Sequence, residues 1–243
     1  MQRLPRGVAP GPDGLPRCAW CLSSPEYIAY HDEEWGFPVA DEAKLFEKLC
    51  LEGFQSGLSW LTILRKRPAF RREFEGFDPA CVARFGPSRV ERLLNEPSIV
   101  RHRGKIEAAI GNARRALALR REVGSLAAHL WSFEPKPWAR PRRLTWAVVR
   151  AMPGTPESAA LSQDLRRRGF RFFGSTTAYA FMQAMGLVND HLEGCFVRPR
   201  VERARRAFRR PKGQLLRGAK PVSPGARRAL PRLPGRRSTR ASP

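Results

Sequence analysis

The chain has 243 residues, 42% of them hydrophobic, and a formal net charge of +23. That is apolar material enough for one sizeable core, while the lack of an apolar run of about 18 residues excludes a spanning helix and so a membrane partner. Five cysteines, an odd number, argue against a disulfide framework and fit a reducing, cytoplasmic setting. The charge is uneven: from Arg200 onward fifteen Lys and Arg face the single acid Glu202 among six prolines. Such a stretch reads as a disordered basic extension, and the excess as a whole suits a polyanionic partner, most often a nucleic acid.

In chain order, residues 1–16 read as a flexible leader, 17–199 as the folded part and 200–243 as the basic tail. Asp41 can cap a helix whose apolar stripe is Leu45, Phe46, Leu49 and Cys50. A helix starting at Ser59–Trp60 follows. Asp78-Pro79 places a cap before a first-turn proline and opens 79–85, and Gly86-Pro87-Ser88 opens another helix through Leu94. Ile106, Ala109, Ile110, Ala113 and Leu117 share one face of a long helix ending near Gly124, and Ser125 caps a short piece through Phe133. Residues 134–145, rich in Pro and Arg, read as a loop; 159–168 and 176–185 read as helices. No period-2 run with turn signals stands out, so the fold class expected is all-α.

Three features suggest chemistry. Cys18 and His31 near the start, and His191-x-x-x-Cys195 about 160 residues on, form a Cys2His2 set that could hold zinc if a helical turn puts His191 and Cys195 on one face. Cys21, in Cys18-x-x-Cys21, is an internal rival that spacing does not eliminate. Secondly, Gly169 and Gly174 bracket a short apolar turn, and the helix after it opens with free N–H groups at Ser175, Thr176 and Thr177. That is the character of a helix-hairpin-helix, which grips phosphate without reading sequence. Thirdly, residues 17–60 concentrate Trp20, Tyr27, Tyr30, Trp35 and Trp60 around Glu52, an acid at the end of an apolar stripe. Flat apolar walls with a few polar groups suit a flipped base, and a carboxylate on an apolar face is costly unless paired or used.

The segments Arg-Cys-x-Trp (17–20), Tyr-Ile-Ala-Tyr-His-Asp-x-Glu-Trp-Gly (27–36) and Leu-Glu-Gly-x-Gln-x-Gly-Leu-Ser-Trp (51–60), with Arg-His-Arg-Gly-Lys-Ile (101–106), Arg-Gly-Phe-x-Phe-x-Gly (168–174) and Phe-Met-Gln-Ala-x-Gly-Leu-Val-Asn-Asp-His (181–191), run in one collinear order. Together they resemble the bacterial DNA-3-methyladenine glycosylase I family over about residues 17–197. The resemblance implies a helix-hairpin-helix glycosylase domain whose structural zinc ties its N- and C-terminal segments through Cys18, His31, His191 and Cys195, leaving Cys21 aside. It implies Glu52 and Tyr30 at the base edge, Trp60 stacking on the base, and Trp20, Tyr27 and Trp35 as further walls. Leu58, with Gly57 beside it, falls where the family's loop enters the duplex. The expected activity is hydrolytic removal of 3-methyladenine from double-stranded alkylated DNA by a monomer, leaving an abasic site. No lysine falls in the hairpin or in the matched pocket segments, so lyase chemistry is not expected. Asp190 sits near the place of the catalytic acid of the wider superfamily and is expected to support the structure rather than the chemistry. Whether Arg101, His102 and Lys105 touch phosphate is left open.

Overall fold

The computed structural model describes residues 4–213. Among these, the chain forms a two-stranded hairpin, β1 (Val8–Pro10) and β2 (Pro16–Cys18), then α1 (Pro25–Glu33), α2 (Glu42–Gln55), α3 (Trp60–Glu73), α4 (Pro79–Val82), α5 (Pro87–Leu94), α6 (Arg103–Val123), α7 (Leu126–Trp131), α8 (Trp146–Ala151), α9 (Pro156–Arg167), α10 (Ser175–Ala184) and α11 (Arg198–Ala207). The all-α expectation therefore holds, with one small hairpin added. None of these helices is long and apolar enough to cross a membrane.

Local chemistry explains most helix starts. The Asp41, Ser59 and Ser125 side chains accept hydrogen bonds from the N–H groups of Lys44, Thr62 and Ala128, satisfying donors that a helix's first turn leaves free. Helix α6 runs through the core, burying Ile106, Ala109, Ile110 and Ala113. Helix α2 buries ten residues, Glu47, Lys48 and Glu52 included, and packs Phe54 against Phe70 and Phe74 of the α3 region. Each such fully buried Phe contributes about 1.5–3 kcal/mol of transfer free energy, enough for α2 to carry buried charge along the same face.

The structure differs from the sequence reading at both ends. Residues 4–16 are not a loose leader: Val8 pairs with Cys18 across the hairpin, and the Ala19 N–H donates to the Gly7 carbonyl. A strand at Cys18 needs a partner for its backbone groups, and residues 8–10 supply it. At the other end, α11 runs from the last residues read as folded into the region read as tail. Val201 is buried, Phe208 rests on Trp131 at 4.6 Å, and Arg205 and Arg210 both reach Glu134. The remaining tail, 214–243, lies outside the described residues. Helix α1 escaped the sequence reading because its buried face is Tyr30 and His31 rather than an aliphatic stripe, and the piece expected at 79–85 is only the four residues of α4.

Candidate functional site

Helices α1, α2, α3 and α10 converge on a cavity of about 150 Å³ lined by Trp20, Tyr27, Tyr30, Trp35, Lys48, Glu52, Gln55, Trp60, Ala180 and Gln183. All six residues read from sequence as base-edge or wall groups are here together. Each arrives by a local rule. Ser24 and Pro25 start α1 so that Tyr27 and Tyr30 lie three apart on one face. The Ser59 cap sets Trp60 as the first residue of α3. Tyr27 and Tyr30 stack at 6.4 Å, Tyr30 meets Trp60 at 5.4 Å, and Trp20 stands edge-on to Tyr27 and Trp35.

Glu52 is 5% exposed, as its place on an apolar stripe predicts, and it is paired. One turn earlier on α2, Lys48 is also 5% exposed, and its Nζ lies 2.7 Å from Glu52 Oε1. The same ammonium donates to the Tyr30 hydroxyl at 3.3 Å and sits 3.1 Å above the centre of the Trp60 ring. The matched pocket segments hold no lysine, as read from the sequence, but an i, i+4 spacing from Glu52 brings Lys48 in from outside them. Burial draws the Lys48 ammonium below its usual range against the pull of Glu52, and burial pushes the Tyr30 hydroxyl up, helped by Glu52. Tyr30 is therefore a protonated donor at neutral pH. Trp60 is 9% exposed, and its indole N–H meets no acceptor among the described residues. A buried donor without a partner costs about 1–3 kcal/mol and is a place where a ligand's acceptor is welcome.

One further lining residue escaped the sequence reading. Gln183 of α10 lines the pocket, and its amide donates to Asp190 Oδ2 at 2.8 Å. Asp190 is buried and also takes hydrogen bonds from Tyr179 and Arg140. Of its three partners, Gln183 is the one that lines the pocket. Lys105 is buried, and its Nζ donates to the carbonyls of Phe54 and Ser56 at 2.9 and 2.6 Å. It thus caps the negative end of α2 and ties down the start of the loop that leads to Trp60. His102 caps α6, and Arg101 is exposed.

That loop carries Gly57 at φ +82°, with open space where a side chain would begin, and Leu58, 42% exposed, at its tip. A left-handed turn favours glycine here and lifts Leu58 beside the pocket rim. Across from it, Gly169 follows the end of α9 and Gly174 precedes α10, as expected. Ser175 and Thr176 are exposed at the start of α10, and an open cavity of about 460 Å³ is bordered by Ser56, Arg166, Phe172, Gly174 and Thr177. A larger basic cleft of about 670 Å³, lined by Arg140, Arg198, Arg205, Arg206 and Arg210, holds none of the pocket residues.

Next to the pocket, Cys18, His31 and Cys195 are fully buried with their ligand atoms all within 4.8 Å of one another. Two thiols and an imidazole are a donor set suited to zinc. Asp32 accepts from His31 Nδ1 at 2.7 Å and turns Nε2 toward Cys195 Sγ, 3.6 Å away; Arg17 bridges Asp32 and Asp13 behind it. The Cys195 thiol is held down at about 4, chiefly by the Cys18 side chain and then by His31, while Cys195 and burial push Cys18 up. Burial draws His31 down, but Cys195, Cys21 and Asp32 outweigh it and hold it at about 10.

His191, expected as the fourth ligand, lies outside this group. Residues 191–195 do not form a helical turn. The Cys195 N–H closes a tight turn onto the Leu192 carbonyl, with Gly194 at φ +88°. The His191 ring, 4.7 Å from that of His31, instead engages Asn189 through Nδ1 and the His31 carbonyl through Nε2. Cys21 is buried and also lies outside the group. The N- and C-terminal segments that carry this group are nonetheless joined by the backbone, since the Phe196 N–H donates to the Pro16 carbonyl at 2.8 Å.

Residues 20–198 match the model of the methyladenine glycosylase family. The chain is 47% identical over 186 residues to DNA-3-methyladenine glycosylase 1 of Escherichia coli (strain K12), covering 76% of this chain and 98% of that protein. Its fold is similar to that of 3-methyladenine DNA glycosylase I from Staphylococcus aureus, in a structure described as the basis of 3-methyladenine recognition: TM-score 0.70, 38% identity, 75% of this chain and 96% of that one. A substituted 3-methyladenine DNA glycosylase I solved in complex with 3-methyladenine is 35% identical, with TM-score 0.70, over 75% of this chain and 97% of that one. Matched over nearly the full length of these relatives, and with the motif residues gathered at one cavity, the chain belongs to the methyladenine glycosylase family.

Proposed function

We propose that the chain excises 3-methyladenine from alkylated double-stranded DNA by hydrolysing the N-glycosidic bond, as a monomeric base excision repair enzyme of the bacterial cytoplasm. The observation that carries this is the cavity where Tyr30, Glu52 and Trp60 meet in a chain of this family. Leu58, lifted by Gly57, fills the gap left in the duplex. The α9–turn–α10 unit acts as a helix-hairpin-helix, with Gly169 and Gly174 letting the backbone approach and the N–H groups at Ser175 and Thr176 meeting phosphate.

The lesion enters as a cation. Trp60 stacks on it, since an aromatic face favours a cationic ring over a neutral one. Glu52 accepts from its edge and attracts its charge in a poorly screened site. Tyr30, protonated, donates, while Trp20, Tyr27 and Trp35 complete the walls. As the bond breaks, its electron pair goes to the purine nitrogen. The base leaves neutral, water oxygen bonds to C1′, and one proton is released. The cationic base is already a good leaving group, so binding and extrusion are the larger part of the task. Lys48 is engaged by Glu52, Tyr30 and Trp60 rather than free, which favours hydrolysis over imine chemistry; a borohydride trap that captures no protein–DNA adduct agrees with this.

Cys18, His31 and Cys195 would hold one zinc ion as a structural tie between β2, α1 and the turn after α10. His191 completes the four only by exchanging its bond to the His31 carbonyl for the metal. Such a site links folding to metal binding, and it keeps Tyr30, the neighbour of His31, at the pocket wall. The deciding experiment is base release from methylated DNA by wild type and Glu52→Gln. Free 3-methyladenine from wild type alone is expected, and no free base from wild type would reduce the protein to a DNA-binding module.

A further inference from the structure

Lys48 is the one charged residue lining the pocket that the reaction above does not use. Its ammonium touches the three groups assigned to the cationic base: the Glu52 carboxylate at 2.7 Å, the Tyr30 hydroxyl at 3.3 Å and the face of Trp60 at 3.1 Å from the ring centre. A base stacked on the same face of Trp60 and a lysine nitrogen at that height above the ring occupy the same space. The lysine therefore stands where the lesion is to go, with the lesion's sign of charge.

We propose that Lys48 is a resident cation of the base subsite, displaced by the lesion and returning to expel the product. The inference rests on the reading that this cavity receives the methylated base. Entry is an exchange of one cation for another, so Glu52 keeps a counter-charge throughout. Cleavage breaks that balance. The electron pair of the glycosidic bond stays with the purine, the product base becomes neutral, and Glu52 is left buried with an uncharged neighbour. A buried carboxylate without a partner is costly, and the tethered ammonium relieves that cost by coming back. Its unbranched four-carbon stem allows the swing. The competition weakens lesion and product alike, but the lesion is attached to a duplex held elsewhere on the protein. The released base has only this pocket. Lys48 is thus a positioning residue that sets how weakly the product is held.

The test follows the wild-type protein and two variants, with free 3-methyladenine as the probe. In wild type, the Lys48 ε-methylene, lying on the Trp60 ring, shows an upfield ring-current shift by NMR. Titration with 3-methyladenine is expected to move the Trp60 indole signal and abolish that shift together. If the indole moves while the Lys48 shift persists, the lysine is not displaced and the inference fails alone. No movement of either signal fails the base-pocket reading itself. Lys48→Met and Lys48→Gln, checked for fold by circular dichroism, are expected to bind the free base about tenfold more tightly. Their steady-state turnover should become limited by product, with a lower inhibition constant for added 3-methyladenine. Equal or weaker binding in either folded variant overturns the proposal, and should neither variant fold, the wild-type titration decides.

Discussion

Glu52→Gln separates the chemistry of the pocket from its stability. The substitution keeps shape and removes one charge from a side chain that is 5% exposed. Its first effect is on Lys48, left as a buried ammonium with no carboxylate at 2.7 Å. Breaking one side of a buried pair costs about 3–5 kcal/mol. An upper bound comes from the lysine's escape route, which is to lose its proton. From an ordinary value of 10.5, neutralising it at pH 7 costs about 5 kcal/mol, and less here because burial already lowers it. The second effect is on the lesion. A carboxylate about 4 Å from a cationic base at an effective dielectric of about 20 gives about 4 kcal/mol, part of which exchange with Lys48 offsets. We expect single-turnover release of 3-methyladenine from methylated DNA to fall about 100- to 1000-fold, measured with protein in excess and below the melting point of the variant. The double variant Lys48→Met, Glu52→Gln removes the orphaned ammonium and should recover most of the lost stability without recovering excision. Wild-type excision by a folded Glu52→Gln protein, or recovery of excision by the double variant, would refute the reasoning.

Cys18→Ala should release the bound metal, expected at about one zinc per chain by elemental analysis, and lower the melting temperature; retention of zinc by Cys18→Ala with its loss from Cys21→Ala would reverse the ligand choice. Asp190→Asn deprives the half-buried Arg140 guanidinium of its carboxylate and should cost about 1.5–3 kcal/mol of stability with most excision kept at low temperature, whereas a collapse of excision with unchanged melting would make Asp190 a chemical participant. Hydrogen bonds from His129 and Arg168 overcome burial and hold the Asp164 carboxyl at about 2, below its usual 3.8. A depressed carboxylate stabilises above its unfolded value and loses that contribution as pH falls from about 3.8 toward 2, so Asp164→Asn should cost about 2 kcal/mol at pH 7 and little near pH 2 in denaturant unfolding. Deleting residues 214–243 removes eight Lys and Arg and no acid. Affinity for duplex DNA should fall mainly at low salt, with a flatter salt slope, and an unchanged slope would show that this segment does not engage DNA.

Much of the molecule is settled by the sequence alone, because the determining interactions are local. The caps at Asp41, Ser59 and Ser125 and the apolar face of α6 need only neighbours three or four residues away. The motif around Glu52 likewise announces a carboxylate on a buried stripe, and the aromatic residues of 17–60 announce its walls. What the chain could not disclose lies wherever a residue's role depends on a segment far along it. Residues 8–10 become a strand only because Cys18 needs a backbone partner, and α11 is held by Trp131 and Glu134, more than sixty positions earlier. His191 and Cys195 have the spacing of a helical turn, but Gly194 makes a different one, and the metal-type cluster closes without the histidine. Lys48 is the sharpest case. An i, i+4 Lys–Glu pair is ordinarily a solvated surface feature worth a few tenths of a kcal/mol. Here α1 and α3 close over that face of α2, and removal of water turns the same pair into the charged floor of the cavity.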